Sequence, residues 1–99
     1  MTAIVYEDFE WDEQKNKENQ TKHNISFEAA VQIFKGIVIE APTKDLPNEK
    51  RVLTIGVLEN KEIVVISTER KTRRRIISAR RARINERKTY QKILEKDHV

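Results

Sequence analysis

RVLTIGVL and KEIVVIST, residues 51–58 and 61–68, are two eight-residue runs rich in β-branched side chains, and only Glu59 and Asn60 lie between them. Two strand-forming runs with a two-residue gap predict a β-hairpin, closed by a turn whose central residues take positive φ. Asn60 suits that conformation, whereas Glu59 is a poorer choice. The run from Ile63 to Ile66 is apolar at every position. A strand of that kind belongs in the middle of a sheet, covered on both faces. Whatever else the chain does, it must supply strands and helices to flank this hairpin.

The flanking segments are short and mostly well punctuated. RRRIIS (73–78) reads as the next strand, IVIE (37–40) as the preceding one, and IVYEDFEW (4–11) as a single N-terminal strand. From Asp12 to Asn24 there is no apolar side chain, yet also no glycine or proline. Asp12 is a good N-cap for a polar helix there, although its Asn and Thr residues weaken it. Ser26 caps a second helix, FEAAVQIFK, in which Phe27, Ala30, Val31 and Phe34 form one apolar stripe. Gly36 stands where a C-terminal cap belongs. Ser78 is placed to cap a last helix running to about Lys96. APTKDLPNEK (41–50) holds both prolines and is the longest loop. The order β-α-α-β-β-β-β-α predicts an α+β fold: a small antiparallel sheet with two N-terminal helices and one C-terminal helix. Residues 1–99 form a single domain.

The chain has no cysteine, so disulfides and thiolate metal sites are excluded. No segment approaches the ~20 apolar residues of a membrane span, and a cytoplasmic location is expected. The net charge of +4 is unevenly placed. Residues 70–88, RKTRRRIISARRARINERK, carry ten of the twenty basic residues and one acid, Glu86. Their balance is +9, while the remainder of the chain sums to −5. Such a concentration, rich in arginine, marks a surface for an anionic partner. The plainer alternative is a solvated basic face.

Three segments together resemble a known family. FEWDEQKNKENQTKHNISFEAA is similar to the opening signature of BrnT-type toxins: a strand, Trp-Asp, then Lys, Asn, Lys-His and Phe-Glu-x-Ala. RVLTIG resembles the family's first hairpin strand, and RRIISARRARINERKTY its closing strand and helix. The likeness covers about residues 9–90. One position departs: Ser67 stands where the family often has an aromatic residue or histidine. The resemblance implies a RelE-like fold and a ribonuclease toxin of a type II toxin–antitoxin pair. It also implies a BrnA-like antitoxin that caps the toxin and represses the shared operon through its own DNA-binding domain.

RNA cleavage needs a proton taken from the 2′-hydroxyl, a proton given to the leaving oxygen, and charge stabilisation of the phosphorane. Only His23 and His98 are histidines, and His98 is next to the last residue. A two-histidine mechanism is therefore not expected. No metal-ligand spacing stands out, so no metal or other cofactor is expected. Arginine-rich electrostatic catalysis remains, assisted by a carboxylate, a tyrosine or a lone histidine.

The hairpin register sorts the candidates. Arg51 should face Thr68, with Glu69 and Arg70 at the same end of the sheet and Arg73 or Arg75 beside them. Glu59 lies about 25 Å away by strand rise, and Arg80 should approach it. Arg80 and Arg81 are expected in the first turn of the last helix, where cations oppose the dipole but a phosphate would be held. Lys15, Asn19, Lys22 and His23 should line one face of the polar helix, pinned by Trp11 and Phe27. The expected catalytic residues are thus Arg51, Glu69, Arg70, Arg80 and His23. The expected RNA contacts are Lys22, Arg73, Arg75, Arg81 and Arg83. A non-catalytic RNA- or nucleic-acid-binding module, or an antitoxin-docking module, is the alternative. Few aromatics are available for base stacking, which disfavours a pure RNA-binding module.

Overall fold

The computed structural model describes residues 3–43 and 50–96. Two strands come first, β1 (Ala3–Tyr6) and β2 (Phe9–Asp12). Two helices follow, α1 (Glu13–His23) and α2 (Phe27–Ala30), the second continuing as a 3-10 turn over Val31–Lys35. Then come β3 (Ile39–Pro42), β4 (Arg51–Leu58), β5 (Lys61–Arg70), β6 (Arg73–Arg81) and α3 (Ile84–Lys96). The α+β class holds, with strands rather than helices at the start. His98 and most of the proline-containing loop lie outside the described residues.

The hairpin forms as its sequence requires. β4 and β5 pair antiparallel from Arg51↔Thr68 to Leu58↔Lys61, and both Glu59 and Asn60 adopt positive φ. Around it the strands run in the order β1-β2-β6-β5-β4-β3. All neighbours are antiparallel except β2 and β6, which are parallel.

Three expectations are corrected. The N-terminal segment is not one strand: it folds back at Glu7, which takes φ 55°, so that Ile4 faces Trp11. The acidic pair Glu7-Asp8 cannot be buried in a strand and becomes a turn instead. The second helix is α-helical for only four residues, and β-branched Val31 and Ile33 fall in its 3-10 continuation. Gly36 caps that turn as expected, donating its N–H to the Ile33 carbonyl at 3.1 Å from an extended conformation, while Asn24, which closes α1, takes the left-handed one at φ 56°. The largest correction concerns Ser78, which caps nothing. β6 runs on through Arg81, because Val64 and Ile63 at the far end of β5 need partners and find them in Arg80 and Arg81.

Two cores follow from this layout. On one face of the sheet, Trp11, Phe27, Ala30, Val31 and Ile33 pack on Ile63, Val65, Ile76 and Ala79. The stripe that the sequence marked on the second helix is this layer. On the other face a smaller cluster of Ile55, Val64, Ala82 and Tyr90 lies under α3. Tyr90 also donates its hydroxyl to the Ile37 carbonyl at 2.8 Å, which ties α3 across the sheet. The first core requires a glycine: a Cβ at Gly56 would lie 2.7 Å from Ile33 Cβ.

The polar helix α1 is held by hydrogen bonds rather than by a stripe. Asp12 caps it through Gln14 N at 2.9 Å. Asn16 and Asn19 are buried. Asn16 Oδ1 accepts from Phe27 N at 2.9 Å, starting α2. Asn19 donates to the carbonyls of Ile25 and Ala79, both at 2.9 Å, and accepts from Ala79 N at 3.1 Å. β2 pairs with β6 only at Arg74 and Arg75. Further along β6, the Asn19 side chain supplies the ladder bonds that a strand would have made.

Candidate nucleic-acid interface

The face that carries α3 is only partly covered by it. Beyond the cluster under α3, the same face turns from apolar to basic. Arg51, Thr68 and Arg75 form one row across β4, β5 and β6. With strands about 4.8 Å apart, the two arginines are rooted about 10 Å from each other. Arg70 and Arg73 occupy the next same-face positions and pair across the Lys71-Thr72 turn. Thr68 is buried and donates to the Lys50 carbonyl at 2.8 Å, which fixes the start of β4 and hence Arg51. Arg75 donates to Glu10 Oε2 at 2.8 Å. Four of the expected arginines therefore share one surface.

Glu69 does not join them. It pairs with Arg74, one residue out of phase with the Arg51–Arg75 row, and alternate strand residues face opposite sides. It lines a 380 Å³ groove with Asp8, Phe9, Phe34, Arg73 and Arg74, which meets the arginine surface only at Arg73. Arg74 itself was not among the expected site residues and works as a clamp. Its guanidinium lies 4.9 Å from the Phe34 ring centroid, 3.2 Å from Glu40 Oε1 and 3.2 Å from Ser67 Oγ. Ser67, the position that departs from the family pattern, is fully buried as its acceptor.

Arg80 lies in β6 rather than in a helix and does not meet Glu59. It forms a two-pronged ion pair with Glu86, Nη1 to Oε1 at 2.8 Å and Nη2 to Oε2 at 2.9 Å. Glu86 also accepts from Arg83 N at 2.7 Å, the reach-back bond of a capping box. The guanidinium of Arg80 holds the Glu86 carboxyl down at about 2, and Glu86 in turn raises Arg80. The first turn of α3 thus carries an acid, as its dipole favours. Arg83 is exposed at the helix entrance.

The α1 residues Lys15, Asn19, Lys22 and His23 do share a face. With Ile77 and Ser78 they line a 220 Å³ cleft along the edge of β6. Ser78 reaches this cleft because β6 carries an extra residue: Ile66 pairs with Ser78 but Ser67 pairs with Ile76. That bulge brings Ser78 onto the face of Arg75, two pairing steps or about 7 Å away. Odd spacing in sequence gave no sign of it. Asn19 is consumed by its backbone bonds, while Lys22 and His23 are exposed. His23 also lines a second, 530 Å³ pocket, with Glu59 and Arg81.

No group of three or more His, Cys, Asp or Glu side chains able to hold a metal occurs among the described residues. No described helix is long and apolar enough to cross a membrane.

A mostly antiparallel six-stranded sheet, with two helices over one face, a third over part of the other and an arginine row beside it, defines a small α+β protein with a basic surface. The family comparison gives that class a name. The family model described as ribonuclease toxin, BrnT, of type II toxin–antitoxin system matches residues 11–86, and the chain belongs to that family. RNA is accordingly its target and an antitoxin its partner. Among curated proteins, none matches this chain.

Proposed function

We propose that this toxin cuts RNA without a metal ion, on the arginine-bearing face of the sheet. Arg51 and Arg75 flank the scissile phosphate and stabilise the phosphorane charge, with Arg70 and Arg73 gripping the adjoining phosphate. His23, at the edge of the same face, takes the proton of the 2′-hydroxyl as its imidazole becomes imidazolium, and that proton is returned through water to the leaving 5′-oxygen. The bond from the 2′-oxygen to phosphorus forms as the bond to the 5′-oxygen breaks. The products are a 2′,3′-cyclic phosphate and a 5′-hydroxyl. Lys22 and Arg81 hold the strand on either side of His23. Arg80 acts through Glu86, fixing the entrance of α3 beside the site, and Arg83 contributes charge there.

The observation that carries this reading is the row Arg51–Thr68–Arg75, continued through Ser78 to Lys22 and His23. It joins cations and a proton carrier on one surface. Glu69, on the opposite face, has no part in it. The partner is a BrnA-like antitoxin with its own DNA-binding domain, which neutralises the toxin by covering this face.

Cleavage of a labelled RNA in EDTA, with and without the antitoxin, tests the reading. Activity that survives the chelator, is abolished by the antitoxin and is lost in Arg51→Ala is the expected result. Full activity in Arg51→Ala and His23→Ala would exclude this site, and activity restored only by a divalent cation would exclude the metal-free route.

A further inference from the structure

The pocket beyond His23 is built differently from the arginine face. It lies between the turn joining α1 to α2 and the β4–β5 hairpin, and its volume is about 530 Å³. That is within the roughly 300–1,000 Å³ of small-molecule sites. Ile25, Leu58 and Ile63 form an apolar floor, and Glu59, Lys61 and Arg81 stand around it. Glu59 is the one acid of the lining. Among the described residues, no hydrogen bond or ion pair engages the side chains of His23, Glu59, Lys61 or Arg81. An acid and two cations at the rim of one pocket, none committed to another, is an arrangement that stability alone does not explain. Arg80, one residue from Arg81, is by contrast fully engaged with Glu86.

An apolar floor takes a flat ring, and the cations take a phosphate attached to it. The carboxylate then decides which ring. A carboxylate only accepts, and it accepts best from two parallel N–H groups. Of the four RNA bases, guanine alone offers such a pair, N1–H beside the N2 amino group. Adenine and cytosine each set a ring acceptor next to their amino group, and uracil flanks its single N–H with two carbonyls. Bases splayed from a single strand expose these edges for reading.

We propose that this pocket is a guanine nucleotide site, with Glu59 reading the base and Lys61 and Arg81 holding a phosphate, and that the guanine is carried by the RNA substrate. The assignment to substrate rests on the function proposed above, because His23 lines both this pocket and the cleft beside Ser78. A guanine seated here lies next to the group that moves the proton, so cleavage becomes selective for the neighbouring bond.

Binding without turnover tests this independently of catalysis. The four nucleoside 3′-monophosphates and the trinucleotides UGU and UAU, 2′-O-methylated so that they cannot be cut, are titrated against the intact chain by calorimetry. Guanosine 3′-monophosphate is expected to bind at least tenfold tighter than the other three, and UGU tighter still. Glu59→Gln should reduce the guanine preference about tenfold, as expected for loss of one well-formed base contact. Arg81→Ala should weaken all four mononucleotides alike and keep the preference. Equal affinities for the four bases, or a preference unchanged in Glu59→Gln, would overturn the guanine site. Guanosine 3′-monophosphate binding with UGU excluded would overturn its assignment to the RNA strand and mark a site for a free nucleotide. A chain that never cuts RNA can still give the expected binding, so failure of the proposed activity and failure of this site are separable.

Discussion

The side chain of Asn19 stands in for a strand beside Ala79. Its amide accepts from Ala79 N at 3.1 Å and donates to Ala79 O at 2.9 Å, sixty residues away in sequence. Asn19→Ala leaves that N–H, that carbonyl and the Ile25 carbonyl without partners in a buried place. At about 1–3 kcal/mol for each unpaired group, with partial rescue by water, the expected loss is about 2–4 kcal/mol. The melting temperature should fall by about 10–25 °C. A thermal melt that moves by less than a few degrees would show that the two bonds to Ala79 do not carry α1.

Arg74 and Arg75 are neighbours with opposite tasks, and their alanine variants should separate cleanly. Arg75→Ala removes a cation from the basic row. Its RNA affinity should drop, and the slope of log K against log salt should become shallower by about 0.7 for a single strand. Arg74→Ala loses a ring contact, a half-exposed ion pair and the bond to buried Ser67, together worth about 2 kcal/mol. It should lower stability while leaving the salt slope unchanged. The reverse pattern would place the RNA on the face that carries α2.

Arg51→Ala is expected to reduce RNA cleavage about 100-fold or more, the usual cost of removing one donor to developing charge. Its circular dichroism should still report the parent fold. A similar loss from Glu69→Ala, measured in the same assay, would contradict the division of the sheet into two faces.

Gly56→Ala tests the tightest approach in the first core. The new methyl would meet Ile33 Cβ at 2.7 Å, on the 3-10 turn that packs over β4. Overpacking of this kind costs about 1–3 kcal/mol. Denaturant unfolding should show a lower midpoint with an unchanged slope. Adding Ile33→Ala should not recover the loss, since alanine keeps the Cβ that the methyl meets and removes a buried side chain besides.

Glu86 predicts an acid-labile contact. Its folded value, about 2, lies below the ordinary 4.5, because Arg80 and Arg83 N favour the ionised form. A carboxyl lowered by folding contributes stability that is fully present above pH ~4.5 and lost as pH falls toward ~2. At 1.36 kcal/mol per unit the upper bound is about 3 kcal/mol, reduced by solvent screening. Stability measured from pH 7 to pH 2 should decline in this window, and Glu86→Gln should flatten the decline. An equal decline in both chains would assign it to other carboxylates.

Much of the fold could be read from residue patterns. The hairpin register was legible because two residues of turn leave one way to pair, and Trp11 and Phe27 were legible as anchors from their place around a polar run. The end of β6 was not. Ser78 followed by alanines and arginines reads as a capped helix, and local preference lost to the demand of Ile63 and Val64 for a partner strand. That single shift moved Arg80 and Arg81 out of a helix turn and onto opposite faces of the sheet. The bulge at Ile77 was also hidden, so nothing in the spacing linked Ser78 to Arg75. Likewise Asn16 and Asn19 look like surface residues in a sequence, since the backbone groups they satisfy belong to distant segments. The two clusters expected at the ends of the hairpin were half right: the arginines gathered, but Glu69 and Arg80 did not go with the partners expected for them.

The parallel pairing of β2 with β6 has a consequence for the order of events in synthesis. Glu10 and Arg75 are 65 residues apart, and Trp11 is covered by Ile76 and Ala79. None of these contacts can exist until β6 has left the ribosome. A nascent chain that lacks β6 therefore has the polar helix and the hairpin without the Glu10–Arg75 pair or a closed first core. The arginine face proposed to meet RNA is thus completed only after Arg75 has been made, so the order of synthesis itself delays the proposed activity.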